Sequence, residues 1–230
     1  MSFAWLAALV LGGVPLVWSL RRRLASERQA FLDGYAFHPA IRERVRRKRP
    51  ALDDGQLDLV FQGLRDYFQL CRKAGHRRLA MPSQAVDDAW HEFILFTRAY
   101  DAFCRRALGR YLHHTPVEAM ASPTHAEEGI KRAWRLACSQ EGIDPRQPER
   151  LPLLFALDAQ LGIADGFHYS LNCRDKNSPV SGTNYCASHI GCTSGCSGDS
   201  GAATDSAGSG DSCGDGGSGC GGGGCGGGGD

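Results

Sequence analysis

The chain has 230 residues, a formal net charge of +1 at pH 7 and ten cysteines. This length suffices for one domain of ordinary size, with or without appendages, and excludes an assembly of several large domains. The small net charge conceals an asymmetry, because residues 21–50 contain ten Lys or Arg against three Asp or Glu, and no Lys or Arg follows Lys176. From Cys173 onward lie 19 of the 30 glycines and seven of the ten cysteines. A globular part therefore ends near residue 170, and a segment of different composition follows.

An apolar run near the N-terminus, residues 3–20, contains eighteen positions without a charge and is followed by Arg21-Arg22-Arg23. A membrane-spanning helix needs about 17–25 such residues. A cleavable signal peptide would carry positive charge before the run and small residues after it, whereas the arginines here follow the run. We therefore predict a transmembrane anchor over residues 1–23, in a single-pass membrane protein with its N-terminus outside and its helical domain in the cytoplasm.

Residues 24–50 are predicted to form a basic juxtamembrane segment. The run of Arg and Lys between Arg42 and Arg49 suits contact with anionic lipid headgroups. The expected partners are membrane lipid, through residues 3–20 and this basic flank, and an unidentified protein. Nucleic acid is not expected, because no base-reading motif accompanies the charge. In a reducing cytoplasm the cysteines indicate thiols or metal ligands, not disulfides.

Residues 51–171 are predicted to form a small all-α helical bundle. The chain between residues 30 and 166 lacks the period-two runs of β-branched residues that mark strands, and its apolar residues recur at helical spacing instead. Four or five helices over about 130 residues can bury a hydrophobic core.

Capping residues predict where these helices begin and end. Asp53, with Gln56 three residues later, begins a helix that ends at Gly75. Ser83 is an N-cap for a second helix, whose broad apolar face predicts a central, mostly buried helix from Ser83 to Leu108. Further helices are predicted over residues 38–49, from Thr124, and over residues 148–161.

The central helix carries a polar pair that is a candidate for a functional site. Asp87 and His91 are four residues apart and share one face of a helix. In one interpretation they are a structural pair that satisfies polar groups in a helical core. In another they converge with one or both of His113 and His114 on zinc or another divalent ion, since histidine and carboxylate ligands suit such ions.

A third interpretation is catalytic. His91 would act as a base oriented by Asp87, with Cys71 or Cys104 as the nucleophile. Both cysteines fall on apolar helix faces, where a thiol is more often inert. The chain has no phosphate-binding glycine loop, no nucleophile elbow and no HExxH motif, so no motif identifies a reaction.

The same segment resembles a known family. The residues that carry the resemblance are Pro82-Ser83, Val86-Asp87, Trp90-His91, Tyr100 and Cys104. Their arrangement, over about residues 50–120, is similar to the core of the glycine-rich domain proteins, and would make this chain a bacterial relative. The resemblance implies a helical domain and little chemistry. Eukaryotic members typically carry a second histidine two positions after the Trp-His histidine, where this chain has Phe93.

Residues 172–230 are predicted to be a disordered tail rich in Gly, Ser and Cys, because this composition cannot bury enough apolar surface to offset chain entropy. The tail cysteines do not form the CxxC pairs of a structural zinc site. A group that could still hold a thiophilic ion consists of Cys186, His189, Cys192 and Cys196.

The sequence as a whole favours a membrane-anchored helical module that binds a partner or a metal and is not catalytic. The alternative is a metal-dependent or thiol enzyme centred on Asp87, His91 and His113 or His114. The sequence does not identify a cofactor, and zinc or another divalent ion is the candidate if a metal is bound.

Overall fold

A computed structural model describes the backbone of residues 3–114, 123–171, 185–186 and 190, and the side chains of residues 15–114, 127–171 and 190. Within these ranges the chain forms seven helices and two short strands. The helices are α1 (Phe3–Asp33), α2 (Pro39–Lys48), α3 (Asp54–Ala74), α4 (Gln84–Ile94), α5 (Thr97–Leu108), α6 (Pro123–Glu141) and α7 (Leu153–Gln160). The strands are β1 (Tyr169–Ser170) and β2 (Tyr185–Cys186), which pair in parallel with Tyr169 opposite Tyr185. The predicted predominantly helical class is confirmed.

Helix α1 differs from the prediction made for the N-terminus. Within the residues that the structure describes, no helix combines the length and the apolar composition needed to cross a bilayer. The prediction of a single-pass transmembrane anchor, with an outside N-terminus and a cytoplasmic helical domain, was therefore wrong.

The C-terminal part of α1 packs on the helical core. Leu32 is fully buried. The guanidinium of Arg106 lies 4.5 Å from the ring centre of Phe31, and Gln69 Nε2 donates to Asp33 Oδ1 at 2.9 Å. Helix α1 therefore continues without a break through residues 23 and 24, where the sequence suggested the end of an anchor.

Capping residues set the ends of α3 as predicted. The Asp53 carboxylate accepts from the Gln56 N–H at 2.8 Å, and the Gln56 side chain accepts from the Asp53 N–H at 2.9 Å. This reciprocal pair satisfies two N–H groups that the first turn leaves without helical partners. Gly75 follows the helix with φ of 63°, a conformation that glycine adopts without steric cost. The predicted capping box and glycine stop are confirmed.

The predicted continuous helix from Ser83 to Leu108 is wrong, because the chain breaks between α4 and α5. Phe96 has φ of −85° and ψ of 60°, which are not helical values, and Leu95 is exposed. The break turns α5 so that both Phe93 of α4 and Phe103 of α5 are buried, with ring centres 5.2 Å apart. Burial of both aromatic faces in one core offsets the loss of helical hydrogen bonds at the break.

The core is rich in aromatic side chains from α3, α4 and α5, and α6 and α7 cover it from another side. Trp134 of α6 and Phe155 of α7 are buried and meet edge to face at 5.0 Å. Trp134 and Cys138 are buried, and Ile130 is partly buried. The helix predicted over residues 148–161 is present as α7 (Leu153–Gln160). Residues 172–184, 187–189 and 191–230, and thus most of the predicted tail, lie outside the described residues.

A half-buried acid on α3 gives the fold a pH dependence. Asp66 Oδ1 accepts from Gln62 Nε2 at 3.1 Å and from Gln140 Nε2 at 3.4 Å. Desolvation raises the pKa of Asp66 from 3.8 to about 6, and the negative charges of Glu141 and Asp33 add to this effect although the Gln62 hydrogen bond opposes it.

We expect Asp66→Asn to be more stable than the wild type at pH 7 by about 1 kcal/mol, and equally stable near pH 4. An acid whose pKa is raised on folding contributes stability below its ordinary value, and that contribution is lost as the pH rises through about 6. The asparagine oxygen can keep both hydrogen bonds without this loss. Urea unfolding at pH 4 and pH 7 measures the difference, with Asp101→Asn, whose side chain is 40% exposed, as control. Equal pH dependence in both variants would contradict the assignment.

Candidate functional site

A cavity of about 630 Å³ opens between α3, the 75–83 loop, α4 and the 109–114 loop. This volume lies in the range of pockets that hold small molecules. The lining residues are Tyr67, Cys71, His76, Arg77, Arg78, Leu79, Met81, Gln84, Asp87, Trp90, His91, Arg110, Leu112, His113, His114 and Phe167. All four candidate metal ligands predicted for the helical domain therefore line this cavity: Asp87, His91, His113 and His114.

Asp87, His91 and His114 form a compact group in this cavity. Asp87 Oδ1 lies 3.0 Å from His114 Nε2, and Asp87 Oδ2 lies 3.5 Å from His91 Nδ1. One ligand atom from each of the three side chains lies within 4.8 Å of the others. The two imidazole rings are 4.2 Å apart between their centres. Two imidazoles and one carboxylate are thus placed where a single small ion could contact all three.

Burial differs among the three side chains. The side chains of Asp87 and His114 are only 18% and 14% exposed, whereas that of His91 is 42% exposed. The His114 ring also packs edge to face against the Trp90 indole at 4.5 Å. Asp87 and His114 therefore form the inner part of the group, and His91 lies at its open side.

The start of α4 is fixed by a buried carboxylate from α7. Asp158 accepts from Ser83 Oγ at 2.6 Å and from the N–H groups of Gln84 and Ala85 at 2.7 and 3.2 Å. It also accepts from the Phe167 N–H at 2.9 Å. A negative charge at a helix N-terminus is favourable, and these bonds satisfy N–H groups without helical partners. Ser83 caps the helix as predicted, since its Oγ accepts from the Val86 N–H at 3.3 Å.

The opposite face of α4 is held by the basic helix α2. Asp88 is 2% exposed and lies 2.7 Å from Lys48 Nζ and 2.6 Å from Arg49 Nη2. Glu92 pairs with Arg44, and Arg49 also pairs with Asp165. The basic run that the sequence assigned to lipid contact thus supplies partners for carboxylates within the fold. These pairs orient α4 so that Asp87 and His91 face the cavity.

The loop that carries His114 is tied to α4 through Tyr100. Trp90 Nε1 donates to the Tyr100 hydroxyl at 3.0 Å, and that hydroxyl donates to the Leu112 carbonyl oxygen at 2.6 Å. Helix α5 ends at Gly109, which has φ of 73°, so the chain can turn back toward α4 immediately afterwards. This chain of two hydrogen bonds places His114 beside Asp87.

The cysteines proposed as nucleophiles lie in unfavourable surroundings for catalysis. Burial raises the pKa of Cys71 to about 12, although the Tyr67 hydroxyl and the charge of Arg110 act in the opposite direction. Burial also raises the pKa of Cys104. The nucleophile in thiol catalysis is the thiolate, so neither group is activated at neutral pH. Cys71 does line the cavity, whereas Cys104 belongs to the aromatic core.

His113 lies in the cavity wall but not in the compact group, and it is exposed. Of the second proposed ligand set, the structure describes only the backbone of Cys186, in β2, and His189, Cys192 and Cys196 lie outside the described residues. The sequence reasoning missed the arginines of the wall: Arg77, Arg78 and Arg110. The signal available for them was their place within three residues after the helix-ending glycines Gly75 and Gly109.

The fold and the site define a helical domain that presents two histidines and a carboxylate in a cavity. A protein-family profile matches residues 27–190, so the chain belongs to the UCP032817-like family. The matched residues include every described side chain of the cavity wall. No curated protein and no solved structure matches the chain.

The resemblance to the glycine-rich domain proteins was therefore wrong as an assignment of family. The match to the UCP032817-like family extends beyond residues 50–120 on both sides. Three of the residues that carried the resemblance have general structural roles here: Ser83 is an N-cap, and Trp90 and Tyr100 are buried and hydrogen-bonded to each other. Such roles recur in unrelated helical domains, so these residue types at this spacing do not specify a family.

Proposed function

We propose that this protein binds a divalent transition-metal ion, with zinc as the favoured ion, through Asp87, His91 and His114. The observation that carries the proposal is the convergence of one ligand atom from each side chain to within 4.8 Å in a cavity. Two imidazoles and a carboxylate are ligands that zinc and related divalent ions accept.

The distances suit such an ion. Zinc binds nitrogen and oxygen ligands at about 2.0–2.2 Å, so two ligands at tetrahedral angles lie about 3.3–3.5 Å apart. Asp87 Oδ1 lies 3.0 Å from His114 Nε2 and Asp87 Oδ2 lies 3.5 Å from His91 Nδ1, so each imidazole is close to that separation from one of the two carboxylate oxygens. Three protein ligands would leave a fourth position facing the cavity.

The competing interpretation is a structural hydrogen bond between Asp87 and His114. That bond alone accounts for the placement of two of the residues, but it gives no role to His91, whose Nδ1 faces the same carboxylate from the open side. Both interpretations predict that replacing Asp87 lowers the stability of the fold. Only the metal interpretation assigns a role to His91, as a ligand of the ion.

We expect Asp87→Ala, His91→Ala and His114→Ala each to weaken metal binding by at least about 100-fold, because each removes one of three protein ligands. The full-length chain, stripped of metal and kept reduced, is titrated with Co²⁺ and followed by absorption spectroscopy. Cobalt bound by nitrogen and oxygen lacks the intense near-ultraviolet bands of cobalt–thiolate complexes, so the helical site is distinguished from the tail cysteines. Competition with Zn²⁺ then gives the zinc affinity.

His113→Ala is the matched control, because His113 lines the same cavity next to His114 but lies outside the compact group. Its cobalt affinity and spectrum should equal those of the wild type. Thiolate bands alone, or an equal effect of His91→Ala and His113→Ala, would refute the proposed ligand set. Circular dichroism of each variant checks that the helices remain.

A second candidate, a metal-dependent enzyme at the same site, is favoured by the cavity itself. A closed structural zinc site has four protein ligands, whereas catalytic sites keep a position for water or substrate. Here three ligands border a cavity of about 630 Å³. A thiol enzyme is less well supported, because burial raises the pKa of both Cys71 and Cys104.

A further inference from the structure

The cavity wall carries more positive than negative charge. Three arginines line it, Arg77 and Arg78 from the loop after α3 and Arg110 from the loop after α5. Among the described lining residues Asp87 is the only carboxylate, and it is already engaged by His91 and His114. A concave surface lined by one sign of charge concentrates ligands of the opposite sign.

Among the residues that the structure describes, these arginines have no acidic partners. None of the ion pairs formed among the described residues involves Arg77, Arg78 or Arg110. By contrast, carboxylates pair with Arg42, Arg44 and Arg46 of α2 and with Arg49, which follows that helix. Within the described part of the chain, carboxylates therefore pair with these basic residues of α2, whereas the cavity arginines carry a charge that no described carboxylate pairs with.

Arg110 is the best placed of the three. It is half-buried, and one of its Nη atoms donates to the Gly75 carbonyl oxygen, which holds the side chain across the cavity wall between the two loops. A guanidinium has five N–H donors, so most of them stay available. Arg77 Nε donates to the Ala74 carbonyl oxygen at 3.3 Å, and Arg78 is exposed at the same loop. Arginine forms two parallel hydrogen bonds with a carboxylate or a phosphate.

We propose that the cavity binds a small molecule bearing an oxyanion group, a phosphate or a carboxylate, held between Arg110 and the metal ion of the Asp87–His91–His114 site, with Arg77 and Arg78 at the rim. The assignment rests on the proposed metal site, because the ion supplies the second contact of the oxyanion. The oxyanion would occupy the fourth coordination position of the ion. Phosphate and carboxylate share the chemistry that the arginines recognise, and the test separates them.

The test measures binding of radiolabelled inorganic phosphate, and separately of acetate, to the full-length chain by equilibrium dialysis, with and without stoichiometric Zn²⁺. Zinc should tighten anion binding by about 10-fold or more, since a charged contact is added. Arg110→Met should weaken binding by about 10-fold or more, and Arg78→Met by a few-fold. The matched control is Arg98→Met, on the exposed surface of α5 and outside the cavity lining. Tighter phosphate than acetate binding would assign a phosphorylated ligand, and the reverse a carboxylate.

The outcomes separate this inference from the proposed function. Zinc binding with no anion binding up to millimolar concentration, or with equal anion affinity in Arg110→Met, Arg78→Met and Arg98→Met, would overturn the inference and leave the metal site intact. Anion binding that zinc does not change would overturn the bridging geometry. No metal binding in the cobalt titration would overturn both. Arg78→Met keeps the test decisive if Arg110→Met unfolds, because no described hydrogen bond uses the Arg78 side chain.

Discussion

Replacing Asp158 by alanine is expected to lower the free energy of unfolding by about 3–4 kcal/mol. The carboxylate is 1% exposed and accepts four hydrogen bonds, three of them from backbone N–H groups. Alanine would leave Gln84 and Ala85 at the start of α4 without these acceptors and remove a negative charge from the helix N-terminus. Chemical denaturation of the full-length chain measures the loss.

Two variants control this experiment. Asp158→Asn keeps one carbonyl acceptor and should lose about half as much stability. Asp101→Ala removes an exposed carboxylate that pairs with Arg105 one turn away on α5, and should change stability by less than about 0.5 kcal/mol. If Asp158→Ala were no more destabilising than Asp101→Ala, the buried carboxylate would not anchor α4. Since Asp87 lies on the first turn of that helix, Asp158→Ala should also weaken metal binding.

Tyr100→Phe is expected to cost about 2 kcal/mol of stability and to weaken metal binding several-fold, although Tyr100 is not among the proposed ligands. Its hydroxyl accepts from Trp90 Nε1 and donates to the Leu112 carbonyl oxygen, so its loss leaves both partners unsatisfied. The loop that carries His114 would no longer be tied to α4. Denaturant unfolding measures the free energy of unfolding, and the cobalt titration measures the metal affinity.

Tyr111→Phe is the matched control, since Tyr111 contacts Tyr100 ring to ring at 5.4 Å but is 39% exposed. It should leave both stability and cobalt affinity near wild-type values. The expected pattern is a large effect at Tyr100 and a small one at Tyr111. A Tyr100→Phe protein of reduced stability but unchanged cobalt affinity would show that the hydrogen-bonded chain supports the fold without positioning His114.

The amino-acid sequence by itself determined the helical class and several helix ends. Asp53 with Gln56, Ser83, Gly75 and Gly109 act within one turn of the chain, so their effect on the backbone can be predicted without the tertiary structure. It also identified Asp87 and His91, because residues four apart on one helix must share a face. The predicted domain bounds and tail remain predictions.

Three features depend on the tertiary structure: the break between α4 and α5, the choice of His114 for the compact group, and the pairing of the basic residues. Whether the chain breaks at Phe96 depends on burying Phe93 and Phe103 in one core, a balance between packing and helical hydrogen bonds that no local pattern expresses. The choice of His114 over its neighbour His113 depends on the Trp90–Tyr100–Leu112 hydrogen bonds, which join residues from two helices and a loop. The basic residues of α2 were paired by Asp88, Glu92 and Asp165, which are distant in sequence. Charge in a sequence shows how many ionic groups exist, but only folding determines which of them remain available to a ligand.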